Sequence, residues 1–127
     1  MSAKTFEDLI VWQRAKELTG LIYAMTRKGP FQRDFGLRDH IQRAAVSVMS
    51  TIAEGFGRGG NKEFIHFLFM AKGSLAEVQS LLPVALDQAY SDAADFHKAY
   101  DKANGIARLI TAFVKGMKAN ASKGLKA

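Results

Sequence analysis

The 127-residue chain contains no cysteine and only two prolines, Pro30 and Pro83. Without thiols there is neither a disulfide framework nor a thiolate metal site, a composition that suits a reducing compartment. Nowhere do about 18 apolar residues follow one another, so no membrane-spanning helix is expected. The opening Met1-Ser2-Ala3-Lys4 runs into Phe6, Glu7 and Asp8 without an apolar stretch, so no signal peptide is expected and the chain is assigned to the cytoplasm. Period-two alternation is missing throughout, which removes the main signature of half-buried strands.

Acids are missing from one region only. Through Asp101 the twelve Asp and Glu residues balance twelve Lys and Arg. Beyond it come Lys102, Arg108, Lys115, Lys118, Lys123 and Lys126 with no carboxylate, so the formal net charge of +6 sits entirely on the last segment. A basic terminus commonly does no more than keep a chain in solution. Clustered cations can also displace counterions from phosphates, which makes this segment a candidate electrostatic foot for nucleic acid.

What is present is a core-forming composition, 48% hydrophobic and 24% charged, in a chain of single-domain length. The apolar residues recur every three or four positions in four successive segments, the period of one helix face. Val11, Ala15, Leu18, Ile22 and Met25 mark a helix over about 6–28, with Thr5 as a candidate N-cap and Gly29-Pro30 as the stop. Leu37, Ile41, Ala44, Val48 and Ile52 mark a second over about 34–57. A further apolar row on it, Val46, Met49, Ala53 and Phe56, is more than one neighbour can cover.

A third helix is expected over about 61–90, from Phe64, Leu68, Ala71, Leu75, Val78, Leu82 and Ala85, with Asn61 as N-cap and a kink at Pro83. Its first turns, Phe64 to Ala71, leave only His66 polar, and a helix apolar all round is buried all round. Phe67, Phe69 and Met70 are therefore the candidate oligomer interface. Phe96, Ala99, Ala103, Ile106, Ile110, Phe113 and Met117 mark a fourth helix over about 92–118. The expected fold is all-α, an antiparallel up-down-up-down four-helix bundle over 1–119 with a basic, frayed tail at 120–127.

No catalytic constellation emerges. Gly55-Phe56-Gly57-Arg58-Gly59-Gly60 lacks both the preceding strand of a dinucleotide fingerprint and the Gly-Lys-Ser/Thr of a P-loop, so it reads as a flexible helix corner. His40, His66 and His97 lie on three segments without carboxylates at ligand spacing, which gives no metal site. Ser47, Ser50, Ser74 and Ser80 have no evident His-Asp partners, while Glu54, Glu63 and Glu77 read as capping or pairing residues. The chain reads as non-enzymatic and cofactor-free.

Several stretches carry a family resemblance: Phe6-Glu7-Asp8-Leu9 with Trp12, then Ile52-Ala53-Glu54-Gly55-Phe56-Gly57-Arg58, Lys62-Glu63-Phe64, Phe67-Leu68 and Ala71-Lys72-Gly73-Ser74-Leu75-Ala76-Glu77. Through them the chain resembles the S23-type proteins encoded by intervening sequences in bacterial 23S rRNA genes. More distantly it is similar to the accessory proteins of diversity-generating retroelements, basic pentamers that bind nucleic acid and partner with a reverse transcriptase. The resemblance implies a left-handed bundle assembled as a homo-oligomer, a pentameric ring; no biochemical activity follows from it. Proline commonly stands in the family where this chain has Met49, a departure that straightens the second helix locally.

Two functional readings follow. In the first, the oligomer binds RNA or DNA without sequence preference; five copies would carry a charge of about +30 and multiply a modest surface. Lys102, Arg108, Lys115 and Lys118 are its leading contacts and Arg43, Arg58 and Lys62 its secondary ones. Near the basic segment the only aromatic is Phe113, on the core stripe, so contacts are expected to reach the backbone alone. In the second reading the bundle is a scaffold that docks a protein partner and touches no nucleic acid.

Overall fold

A computed structural model of the chain describes the backbone of residues 3–126 and the side chains through residue 120. A 3-10 turn at Phe6–Asp8 leads into α1 (Ile10–Thr26), α2 (Gly29–Arg33), α3 (Phe35–Gly57), α4 (Asn61–Asp87) and α5 (Ala93–Lys126). The expected basic tail at 120–127 lies, but for the exposed Asn120, outside the residues whose side chains are described.

The four long helices form a closed cycle, each packed on its chain neighbour and α5 returning to α1, so that α3 and α5 lie on a diagonal. Their inner faces are largely the stripes the period predicts, though Leu37, Phe96 and Phe113 are only partly buried and Val114, off the expected stripe, joins the core. Val11, Ala15, Leu18, Ile22 and Met25 are buried on α1, and all seven stripe residues from Phe64 to Ala85 are buried on α4. Fully burying one Leu or Ile contributes about 1.5–3 kcal/mol, against about 0–1 for an exposed ion pair, so these stripes determine the fold.

Polar pairs cross every seam and fix how the helices slide along one another. Gln42 Nε2 donates to Thr26 Oγ1 at 2.8 Å between α1 and α3. Ser47 Oγ and Ser74 Oγ lie 3.1 Å apart between α3 and α4. Gln79 Nε2 donates to Asn104 Oδ1 at 2.7 Å between α4 and α5. Lys102 Nζ donates to Glu17 Oε1 between α5 and α1. Among the described residues, no buried side-chain polar atom is left without a partner.

The termini of the helices depart from expectation for local reasons. α1 begins at Ile10 rather than Phe6, because Leu9 is extended after the 3-10 turn. Asp8 Oδ2 accepts the amides of Thr5 at 3.1 Å and Lys4 at 3.0 Å. Those bonds favour the ionised carboxylate and hold it below its ordinary range. Gly60, not Asn61, is the N-cap of α4. Pro83 lies inside α4, which runs on one turn to Asp87 and stops short of Tyr90. Gly29-Pro30 ends α1 as expected, but it also opens α2, with proline in the first turn where its missing N–H costs nothing. α2 carries Phe31 fully into the core.

Candidate nucleic-acid interface

The corner between α3 and α4 holds no phosphate cradle. α3 continues through Gly57, Arg58 caps it, and Gly59 at φ +86° turns the chain into α4. Arg58 is occupied there. Its guanidinium reaches Glu54 at 2.9 Å and Glu63 at 3.8 Å and lies 5.0 Å above the Phe67 ring. Glu54 and Glu63 thus pair a cation, as expected, and Glu77 Oε2 lies 2.9 Å from His40 Nε2. Lys62 is exposed in the first turn of α4, next to Glu63.

The remaining expected contacts do not form one patch. Arg43 is exposed beside Tyr23 and Asp39 along the α1–α3 seam, on the helix diagonal to α5. Lys102 faces α1 and is held by Glu17, whose carboxylate also takes Arg14 at 3.0 Å. The Lys102 hydrogen bond, aided by the nearby positive charges, keeps Glu17 below its ordinary range. Arg108, Lys115 and Lys118 are exposed on α5, and none pairs with a carboxylate among the described residues.

Two cations that composition does not single out join them. Lys72 on α4 donates to Thr111 Oγ1 at 3.0 Å, which draws its ammonium onto the α5 side. Arg14 shares a groove with Lys102 and Arg108. Lys72 belongs to the part of the chain whose charges balance, so composition gave it no weight. The α4–α5 face therefore presents Lys72, Arg108, Lys115 and Lys118, and no acid occurs in residues 64–76 or 102–120.

The three residues expected at an oligomer interface point in three directions. Phe67 is half-buried against α3, packed on Gly55. Met70 is 48% exposed in a groove with His40, Glu77 and Leu81. Phe69 is 49% exposed and turns towards α5, where Lys118 Nζ lies 5.7 Å from its ring centroid.

A cavity of about 400 Å³ opens at the end of the bundle, among Leu9, Phe56, Phe64, Phe113 and Met117. Among the described residues its lining offers the amides of Asn61 and Asn120 and no titratable side chain, so none of these residues can move a proton or act as a nucleophile. Among the described residues no three metal-ligating side chains come together, and no helix is long and apolar enough to cross a membrane.

Comparison with known proteins agrees with this architecture. The fold is similar to the crystal structure, at 1.70 Å, of a protein of unknown function from the S23 ribosomal protein family of Bacteroides thetaiotaomicron. The two share 18% identity with a TM-score of 0.75, covering 84% of this chain and 99% of that one. No curated protein matches the chain. Residues 7–112 match the family described as 23S rRNA-intervening sequence protein, a span that takes in α1, α3 and α4 whole and α5 as far as residue 112. The chain belongs to the 23S rRNA-intervening sequence protein family.

Proposed function

We propose that this protein is a non-enzymatic, cytoplasmic homo-oligomer, built as a pentamer, that binds RNA or DNA through the α4–α5 face without reading sequence. The observation that carries this is the acid-free surface on which Lys72, Arg108, Lys115 and Lys118 stand together. Each cation set against a phosphate releases counterions, and repeated copies of the face in one particle raise avidity without enlarging any one of them. Lys102 and Arg58 contribute less, since their charge is already met by Glu17 and by Glu54 and Glu63. We assign self-association to the outer side of α4, a reading supported by the exposure of Met70 and Val84 along one helix face.

The test is retention of structured RNA and duplex DNA across a salt series, with particle mass measured first. Replacing Arg108, Lys115 and Lys118 by Gln should weaken binding. It should also flatten the logarithmic salt slope on duplex DNA by roughly 0.9 for each phosphate no longer neutralised. Unchanged affinity and slope would overturn the role of this face. No binding by the wild-type protein at low salt would favour a protein-docking scaffold instead.

A further inference from the structure

We infer that Phe69 is a stacking platform for an unpaired base, so that the α4–α5 face prefers single-stranded nucleic acid to duplex. This rests on the nucleic-acid role proposed above for the same face. A lone exposed phenylalanine is ordinary on a protein surface. What distinguishes this one is its setting.

Phe69 follows the fully buried Leu68 and precedes the fully buried Ala71 by two residues, yet its own ring is half in solvent. The ring lies under the Lys118 ammonium, which α5 supplies from across the seam. Lys72, one turn further along α4, is turned to the same side by its bond to Thr111, and Lys115 lies on the adjacent stretch of α5. No carboxylate occurs on either helix within this stretch. An aromatic face edged by unpaired cations is the combination that holds single strands, phosphates on the cations and a base on the ring.

The neighbouring aromatic does not offer it. Phe67 is packed on Gly55 and covered by Arg58, whose charge is already met by two carboxylates. The contact between Lys118 and Phe69 is solvent-exposed and held by no hydrogen bond among the described residues. The ammonium can therefore swing to a phosphate while a base takes its place on the ring. In a duplex the base faces are stacked inside the helix, so a ring lying along a protein helix gains only backbone neighbours. Because every base has a π-face, the preference is for strand state and not for sequence.

The experiment compares wild type with Phe69→Ala, Phe69→Leu and Phe69→Trp on a single-stranded oligo-uridine and on a blunt duplex of equal length. It uses a salt series, with particle mass followed by light scattering. Ala and Leu should each lower single-strand affinity about five-fold or more at unchanged salt slope. Trp should retain single-strand affinity, and the duplex should respond to none of the three. Leucine keeps apolar bulk without a π-face, so a structural role for Phe69 would be rescued by it and a stacking role would not.

Equal loss on both substrates, no loss on the single strand, or a change in particle mass would overturn the inference. The last would make Phe69 a subunit contact. Wild-type protein that binds duplex with a steep salt slope while Phe69→Ala leaves single-strand affinity intact would sink the stacking role alone. Wild-type protein that binds neither substrate would remove the parent reading and this one with it.

Discussion

Tyr90 donates its hydroxyl to Asp34 Oδ2 at 2.9 Å, joining the α4–α5 connection to the start of α3. The other carboxylate oxygen of Asp34 accepts the Leu37 amide at 3.1 Å and caps α3, while the Tyr90 ring stacks on Phe31 of α2 at 5.2 Å. The bond requires a neutral phenol, so Asp34 holds the Tyr90 pKa above its ordinary value, with partial burial and the negative charge adding to the effect. The stabilisation is fully present below the unfolded-state value near 10 and is lost as pH rises through the higher folded-state value. Tyr90→Phe should unfold at lower urea than wild type at pH 8, and the difference should shrink above pH 10. A gap that stays constant from pH 8 to 11 would deny the bond its role.

Gly55 of α3 packs against Phe67 of α4 with no room for a side chain. A Cβ built there would lie 2.4 Å from Phe67 Cβ and 3.0 Å from its Cγ, so the helices would have to separate. Gly55→Ala should cost about 1–3 kcal/mol, the usual range for overpacking a tight seam. Gly20, also helical, has nothing within 4 Å of such an atom, and Gly20→Ala should instead stabilise by about 0.5–1 kcal/mol. Urea denaturation of both variants checks the contrast, and destabilisation by both would refute it.

Ala89 adopts a left-handed conformation, φ 59°, just past the end of α4. The amide of Tyr90 returns to the Ala85 carbonyl at 2.9 Å and that of Ala89 to Leu86 at 3.0 Å, a helix-ending pattern that glycine fits without strain. Ala89→Gly should raise stability by about 0.5–1 kcal/mol, since the steric cost of the L side chain exceeds the extra freedom of the unfolded glycine. A lowered melting temperature would show that the Cβ is instead making a favourable contact.

Met70 tests self-association. Introducing a charge at this exposed position leaves the core stripe untouched, so Met70→Glu should reduce particle mass in light scattering while helicity is retained. Unchanged mass would move the subunit contact off this face.

The core was legible because burial repeats locally: Leu68, Leu75 and Leu82 announce their face by spacing alone, and each is buried. α2 was not, because Gly29-Pro30 reads as a stop and a five-residue helix is too short for a period to show. The candidate interface was legible only as a set of cations. Which of them are spent depends on pairs distant in sequence, such as Lys102 with Glu17, and on one helix turning an aromatic towards another, as with Phe69 and Lys118. Charge composition does not encode either relationship, because both arise only when α1, α4 and α5 are placed side by side.

Glu17 offers a test of that difference between a free and a spent cation. Its carboxylate is held between Lys102 and Arg14, and its depressed pKa places the contribution to stability above the unfolded-state value, to be lost as pH falls through the folded-state one. Glu17→Gln should therefore narrow the stability gap between pH 7 and pH 3 relative to wild type. The same substitution frees two cations beside Arg108 in one groove. If the face binds phosphate backbone, Glu17→Gln should tighten duplex DNA binding and steepen the salt slope, by as much as roughly 0.9 for each cation that gains a phosphate. Acid sensitivity that changes while binding does not would confine Glu17 to holding α1 against α5. Binding that tightens would show that this carboxylate limits the charge the face can offer.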